Sequence, residues 1–181
     1  MSKDTVRKTC SFDVCRECTL SCCQDAKPPL TTERIRMIED YMRNHERLRG
    51  RLFVKVDYCF PAIDSAGFCV FYDKGSKKCL IHEVKPETCR AGPITFDINR
   101  RTRKVEWFLK KNELCFFAGK LFKTPKQLDE HLKVAKEEIK RLIAELDPAA
   151  LMAILKIDEP QTFKIGEDPL PREVLEKLGV E

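Results

Sequence analysis

The stretch CRECTLSCC, from Cys15 to Cys23, places four cysteines within nine residues. This density of thiols constrains the local chain more than any other feature of the sequence. Three kinds of structure use closely spaced cysteines: a disulfide framework, a reactive nucleophile and a metal site. The rest of the chain indicates which of them applies.

The ten cysteines of this 181-residue chain favour a metal site over disulfides. The N-terminus lacks the apolar segment of a secretory signal, and no stretch approaches the roughly eighteen apolar residues of a membrane span. We therefore expect a cytoplasmic protein without a membrane partner. Cytosolic thiols stay reduced, and clustered ones there bind metals or act in catalysis. Proteins of hyperthermophiles are the exception, which the 35% of charged residues leaves open.

Hydrophobic periodicity predicts an α+β fold, with a mostly β, cysteine-rich core and an N-terminal helix. The helix begins at Thr31 or Thr32, and RLFVKVDYCF after it predicts one strand. Two hairpins are predicted in GFCVFYDKGSKKCLIHE and ITFDINRRTRKVEWFLK, and a short helical turn in KPETCRAGP between them. The net charge of +5 is small and lies mainly in the two hairpin turns, so it supports a nucleic-acid partner only weakly.

From Thr124 the chain becomes helical and contains no cysteine. Thr124 predicts a helix cap, Pro125 the first helical position and Gln127 a capping box. Two further helices are predicted in PAALMAILKI and LPREVLEKLG. We therefore divide the chain into a metal-binding domain, residues 1–123, and a helical extension packed on it, residues 124–181. An apolar stripe on the long helix comprises Leu128, Leu132, Ala135, Ile139, Leu142 and Leu146.

The register predicted for the first hairpin bears on the type of metal. It places Tyr72 opposite Lys78 and Cys69 opposite Ile81, so that Cys69 and Cys79 are diagonal neighbours about 7–8 Å apart. A tetrahedral zinc needs its sulfurs closer, since each lies about 2.3 Å from the metal. An iron–sulfur cluster spreads its thiolates further, and the register therefore favours a cluster.

Cys22 and Cys23 are adjacent, and neighbouring side chains diverge. They are expected to serve different metals or different edges of one cluster, unless Cys23 is a buried apolar thiol. Cys89 follows Pro86 in the predicted helical turn. Lys85 and Arg90 flank it and could offset the negative charge of a thiolate-rich centre, unless both are ordinary surface cations.

Four separated blocks of sequence carry a family resemblance: CRECTLSCC, GFCVFYDKGSKKCLIHE, VKPETCRAGPITF and CFFAGK. In this order they resemble the YkgJ-type cysteine-cluster family, described as a zinc- or iron-chelating domain with a CxxCxxCC opening. The resemblance covers about residues 15–120, and it implies a metal centre. Eight thiolates could supply two four-ligand centres. The resemblance maps the ligands to Cys15, Cys18, Cys22, Cys23, Cys69, Cys79, Cys89 and Cys115.

The chain departs from that family pattern in several places. Three residues instead of two separate Cys18 from Cys22. His82 replaces a tyrosine and Lys85 an arginine, and the block after Cys115 is a poor copy of a glycine-rich one. Two cysteines outside the pattern, Cys10 and Cys59, are interpreted as structural.

Other chemistry receives less support from the sequence. A cysteine nucleophile needs a nearby base, but His82 is expected on the strand face opposite Cys79. His45 and His131 are expected on solvated helix faces. Whether the protein is an enzyme is left open.

The leading functional hypothesis is a protein that holds one or two cysteine-ligated iron–sulfur clusters, with [4Fe–4S] favoured. It would act in electron transfer or cluster-assisted modification, with an unidentified redox or protein partner. The alternative is a zinc-structured interaction module that binds nucleic acid or a protein.

Overall fold

A computed structural model describes residues 22–43, 50, 52–159 and 161–180 of the chain. It confirms a mixed α+β fold. The helices of the described residues are α1 (Thr32–Arg43), α2 (Glu87–Ala91), α3 (Phe116–Phe122), α4 (Pro125–Glu145), α5 (Pro148–Ile154) and α6 (Arg172–Lys177). The strands are β1 (Phe53–Lys55), β2 (Cys59–Pro61), β3 (Tyr72–Asp73), β4 (Lys78–Cys79), β5 (Ile94–Asn99), β6 (Lys104–Lys110) and β7 (Thr162–Pro169).

The largest sheet has three antiparallel strands in the order β5-β6-β7. In the central strand, β6, Val105, Trp107 and Leu109 are buried and alternate with partly exposed residues. This period of two gives the strand one face toward the core. The β5–β6 hairpin was predicted, whereas β7 was not. Because β7 pairs with β6, the C-terminal segment contributes a strand to the sheet as well as helices.

Helix α4 covers the buried face of this sheet. Ala135, Ile139 and Leu142 are buried, as the predicted apolar stripe requires. Thr124 occupies the predicted N-cap position and Pro125 the first helical position, but the Thr124 side chain accepts no capping hydrogen bond, so the predicted capping box does not form. The larger core formed here includes Ile98, Val105, Trp107, Leu109, Leu121, Ile139, Leu142, Ile143 and Leu151.

A second, smaller core lies beneath α1. It is built from Leu30, Ile38, Phe71 and Ile81, and Cys69 and Cys79 pack against it. The backbone N–H of Arg34 donates to the Thr31 hydroxyl at 3.0 Å, so the predicted threonine cap forms at Thr31.

The short strands differ from the sequence-based expectations in two ways. The segment predicted as one strand is a hairpin, in which Val54 of β1 lies opposite Phe60 of β2. In the β3–β4 hairpin Tyr72 lies opposite Cys79, not Lys78. The predicted register was therefore wrong by one residue, and the spacing inferred from it does not hold. A shift of one residue moves side chains to the other face of a hairpin.

Within the part of the chain that the structure describes, no helix combines the length and apolar character needed to cross a bilayer.

Candidate metal centre

Backbone hydrogen bonds join two cysteine-bearing segments. The N–H of Cys69 donates to the carbonyl of Cys23 at 2.9 Å, and the N–H of Asp25 donates to the carbonyl of Gly67 at 2.8 Å. The segment that carries Cys22 and Cys23 is thereby held against the loop that carries Cys69.

Gly67 is needed for this approach. Its φ of +81° lies in the region that favours glycine. A Cβ atom at this position would also lie 2.3 Å from Asp25 Oδ1. A side chain here would be strained by the positive φ and would force the Asp25 side chain to move, so Gly67 has a positioning role that the sequence did not indicate.

The β3–β4 hairpin links two further thiols. The backbone N–H of Tyr72 donates to the carbonyl of Cys69 at 2.8 Å, and Tyr72 pairs with Cys79 across the hairpin. Both cysteines are partly exposed and contact the smaller core. A single residue thus connects these two predicted ligands.

Cys89 lies in the middle of α2, and a buried histidine of α4 contacts the end of that helix. His131 Nε2 lies 3.0 Å from the carbonyl oxygens of Ala91 and Gly92. Carbonyl oxygens only accept, so Nε2 must carry the proton. Burial lowers the pKa of His131 and keeps the ring neutral. The expectation that His131 is solvated was therefore wrong.

The thiols influence one another electrostatically. A hydrogen bond from Cys23 lowers the pKa of Cys22 to about 6, and the same bond, with burial, raises the pKa of Cys23. Burial raises the pKa of Cys69 to about 11. The pKa of Cys89 is raised by burial and then by the charges of Cys22 and Cys79. These five thiols therefore lie within electrostatic range of each other.

Lys85 is the cation most closely associated with this group. Its side chain is only 7% exposed. After the hydrogen bond from Cys23, the charges of Lys85 and Lys110 further lower the pKa of Cys22. Lys85 also partly offsets the effect of burial on the pKa of Cys89. Arg90 instead forms an ion pair with Glu138, at 2.7 Å between Nε and Oε1.

The structure describes six of the eight predicted ligands and brings five of them together: Cys22, Cys23, Cys69, Cys79 and Cys89. Cys115 precedes α3 and packs against the larger core. Cys59, interpreted as structural, contacts the smaller core, and burial raises its pKa. Four predictions concern positions outside the described residues, namely those for Cys10, Cys15, Cys18 and His45.

The donor set is rich in thiols, which suit zinc and iron–sulfur clusters. Among the described residues, no three His, Cys, Asp or Glu side chains are grouped tightly enough to hold one metal ion. The five thiols are thus neighbours without forming a closed single-ion site. Cys15 and Cys18 remain predicted ligands of this centre.

Residues 14–116 match the model of a family described as "CxxCxxCC: Putative zinc- or iron-chelating domain". The match covers more than half of the chain. The chain belongs to the CxxCxxCC family. The predicted family resemblance is thereby confirmed, and the protein is a metal-binding protein of the zinc- or iron-chelating type.

The region matched to the CxxCxxCC family contains all eight predicted ligands and ends at the start of α3. Helix α4 and strand β7 lie outside it. The chain is also similar to the "Uncharacterized protein MJ0661" of Methanocaldococcus jannaschii, with 28% identity over 133 residues, or 71% of this chain and 69% of the relative. No solved structure matches the chain.

Proposed function

We propose that this CxxCxxCC protein holds one or two cysteine-ligated iron–sulfur clusters, with [4Fe–4S] favoured. The observation that carries the proposal is the arrangement of Cys22, Cys23, Cys69, Cys79 and Cys89. Their thiols interact electrostatically, yet no three close on a single ion. A cluster has several metal atoms between its thiolates and suits such a spread arrangement better than one tetrahedral ion.

The charge of the surroundings also suits a cluster. A centre with several thiolates is anionic, and a buried anion needs a compensating charge. Lys85 is buried and lies within electrostatic range of Cys22 and Cys89. In this proposal Lys85 is the residue that partly neutralises the bound cluster.

The exposure of Cys22 favours electron transfer as the use of the centre. As a whole residue Cys22 is exposed, whereas Cys23, Cys69, Cys79 and Cys89 are only partly so, although burial of the Cys22 thiol partly opposes the lowering of its pKa. When bound, an iron–sulfur cluster supplies a one-electron carrier. A cluster edge at the surface, beside Cys22, would let a redox partner approach the cluster. We place this electron exchange in the cytoplasm. Cluster-assisted modification of another molecule is the related possibility.

A second candidate is a zinc-structured module that binds a protein or nucleic acid. Its support is the thiol donor set, which suits zinc as well. The description of the family likewise names both metals.

Metal and sulfide analysis after anaerobic purification separates the two candidates. The cluster proposal expects brown protein that contains iron and a comparable amount of acid-labile sulfide. Colourless anaerobic protein with stoichiometric zinc and no sulfide would reject the cluster and favour the zinc module. Cys59→Ser is the matched control, because Cys59 is a partly exposed cysteine outside the group and should leave the metal content unchanged.

A further inference from the structure

Four charged side chains, three of them buried, form a network between α1, α2 and α4: Arg34, Glu87, Arg90 and Glu138. Arg34 and Glu87 are 2% and 0% exposed, and Glu138 is 7% exposed. Arg34 Nη2 lies 2.6 Å from Glu138 Oε2, and Arg34 Nε lies 3.3 Å from Glu87 Oε1. The Thr31 hydroxyl also donates to Glu87 Oε1, at 2.7 Å. The two carboxylates thus come from different helices and share one arginine.

Glu138 is the centre of the network. Its Oε2 accepts from Arg34, and its Oε1 accepts from Arg90 Nε at 2.7 Å. Arg90 also donates to the carbonyl of Glu83 at 2.9 Å, in the segment that leads into α2. One carboxylate on α4 therefore connects α1, α2 and the segment before α2.

Such a network is a poor way to gain stability. Buried charges lose hydration, and apolar side chains of the same volume often stabilise a fold as well or better. This network is also incompletely satisfied, because Arg34 Nε and Glu87 Oε2 have no hydrogen-bond partner. We therefore expect the network to fix the relative orientation of the helices more than to stabilise the fold, since forked and charge-assisted hydrogen bonds fix orientation.

Cys89 lies between two members of the network on the five-residue helix α2. Glu87 is two residues before it and Arg90 directly follows it, and both form contacts within the network. His131, also on α4, bonds to carbonyls at the C-terminal end of the same helix. Helix α2 is too short to be stable alone, so its orientation depends on these contacts.

We propose that Glu138 is a positioning residue that holds the predicted ligand Cys89 in place through Arg90 and Arg34. This inference rests on the proposed function only in taking Cys89 as a metal ligand. Helix α4 lies outside the region matched to the CxxCxxCC family. In this proposal it helps to retain the metal as well as to cover the core.

The test compares metal release from metal-loaded, full-length variants. Glu138→Gln removes the charge and keeps the shape, and Glu130→Gln is the matched control, since Glu130 is exposed on the same helix. Circular dichroism reports folding, elemental analysis reports the metal, and a chromophoric chelator reports release. We expect release from Glu138→Gln to be about tenfold faster, the lower end of the effect seen when a group bonded directly to a metal ligand is lost, because Glu138 acts on Cys89 through Arg90. The control should release metal at the parent rate.

Parent-like release from folded Glu138→Gln, or equally fast release from Glu130→Gln, would overturn the proposal. If Glu138→Gln does not fold, Arg90→Lys provides the test, because it keeps the charge and loses the forked geometry. It should also accelerate release, and parent-like release would count against the proposal. If the parent contains zinc and no iron, the cluster proposal fails, while zinc release still tests the role of Glu138.

Discussion

The backbone N–H of Cys69 donates a 2.9 Å hydrogen bond to the carbonyl oxygen of Cys23. This bond joins two predicted ligands that are 46 positions apart in the sequence. Because it uses backbone groups, it does not depend on whether either thiol is bound to metal. Cys22 and Cys23, at the end of the CRECTLSCC stretch, are therefore held by the loop of Cys69, and the earlier cysteines of the stretch are the further ligands that we expect.

Cys15→Ser and Cys18→Ser should each lose most of their metal and be less stable than the parent. Metal binding is coupled to folding, so the loss of a ligand lowers both the metal affinity and the stability of the fold. Elemental analysis and thermal unfolding measure the two effects. Cys10→Ser and Cys59→Ser are the controls and should bind metal like the parent. Full metal content in Cys15→Ser and Cys18→Ser would contradict the metal assignment of the stretch.

Cys23→Ser tests whether Cys22 and Cys23 serve different centres. If they do, the variant should retain about half of the parent metal, because only one four-ligand centre is lost. Iron and sulfide per chain are the quantities to measure. An unchanged metal content would instead identify Cys23 as a buried thiol whose role is packing.

Lys85→Gln should shift the midpoint potential of the cluster to a more negative value. A buried positive charge favours the reduced, more anionic state, and net charge is one determinant of the potential. Lys77→Gln removes the same charge from the exposed turn between β3 and β4 and should leave the potential nearly unchanged. Redox titration under anaerobic conditions measures both. Equal potentials in the parent and Lys85→Gln would mean that Lys85 does not neutralise the centre.

Leu142→Ala should lower the free energy of unfolding by about 2–5 kcal/mol, the usual cost of a cavity in a core. Leu142 is completely buried between α4 and the sheet. Ile157→Ala, at a side chain that is 53% exposed, should change it by about 0.5 kcal/mol or less. Chemical denaturation gives both values. A small effect of Leu142→Ala would show that α4 is not part of the main core.

His131→Gln should reduce the pH dependence of stability. Burial lowers the pKa of His131 in the folded state, so the unfolded chain binds more protons once the pH falls below about 6.5. The folded parent should therefore lose stability as the pH falls through this range toward the lower, folded-state pKa. Glutamine can still donate to the carbonyls of Ala91 and Gly92 but does not titrate.

Denaturation of the parent and His131→Gln at pH 7.5 and pH 5.5 provides the measurement. The difference in stability between the two proteins should move in favour of the variant at the lower pH. Identical pH profiles would show that protonation of His131 does not oppose folding. The charge of Lys85 also lowers the pKa of His131, so the comparison should keep Lys85 in both proteins.

Local patterns predicted most of the elements. The β5–β6 hairpin, the long helix α4 and the α+β class follow from periodicity and turn residues, which depend on nearby positions. Strand β7 was missed because its short apolar alternation, Phe163 and Ile165, is interrupted by Gly166. Its pairing with β6 is also a contact between distant parts of the chain. The predicted register of the β3–β4 hairpin was wrong because strands of only two residues carry too short a pattern to distinguish one register from the next.

The candidate site was predicted by residue type more than by geometry. Cysteine spacing and the family resemblance indicated the thiols, whereas Glu138 and Gly67 gave no local signal. His131 did give one, because it lies four residues before Ala135 on the buried stripe of α4, and this spacing places both on one helix face. Its polarity led to the wrong prediction. Buried polar residues that bind a distant backbone are difficult to infer without the fold.

The contacts of α4 with α2 have a consequence for biosynthesis. Chains emerge from the ribosome with the N-terminus first, so every cysteine is synthesised before Glu138 and His131, which hold the helix of Cys89. The strand β7 that completes the main sheet follows later still. The nascent chain therefore exposes its full set of thiols before the scaffold that orients Cys89 exists. Until translation has passed the long helix, those thiols therefore lack the contacts that hold the helix of Cys89.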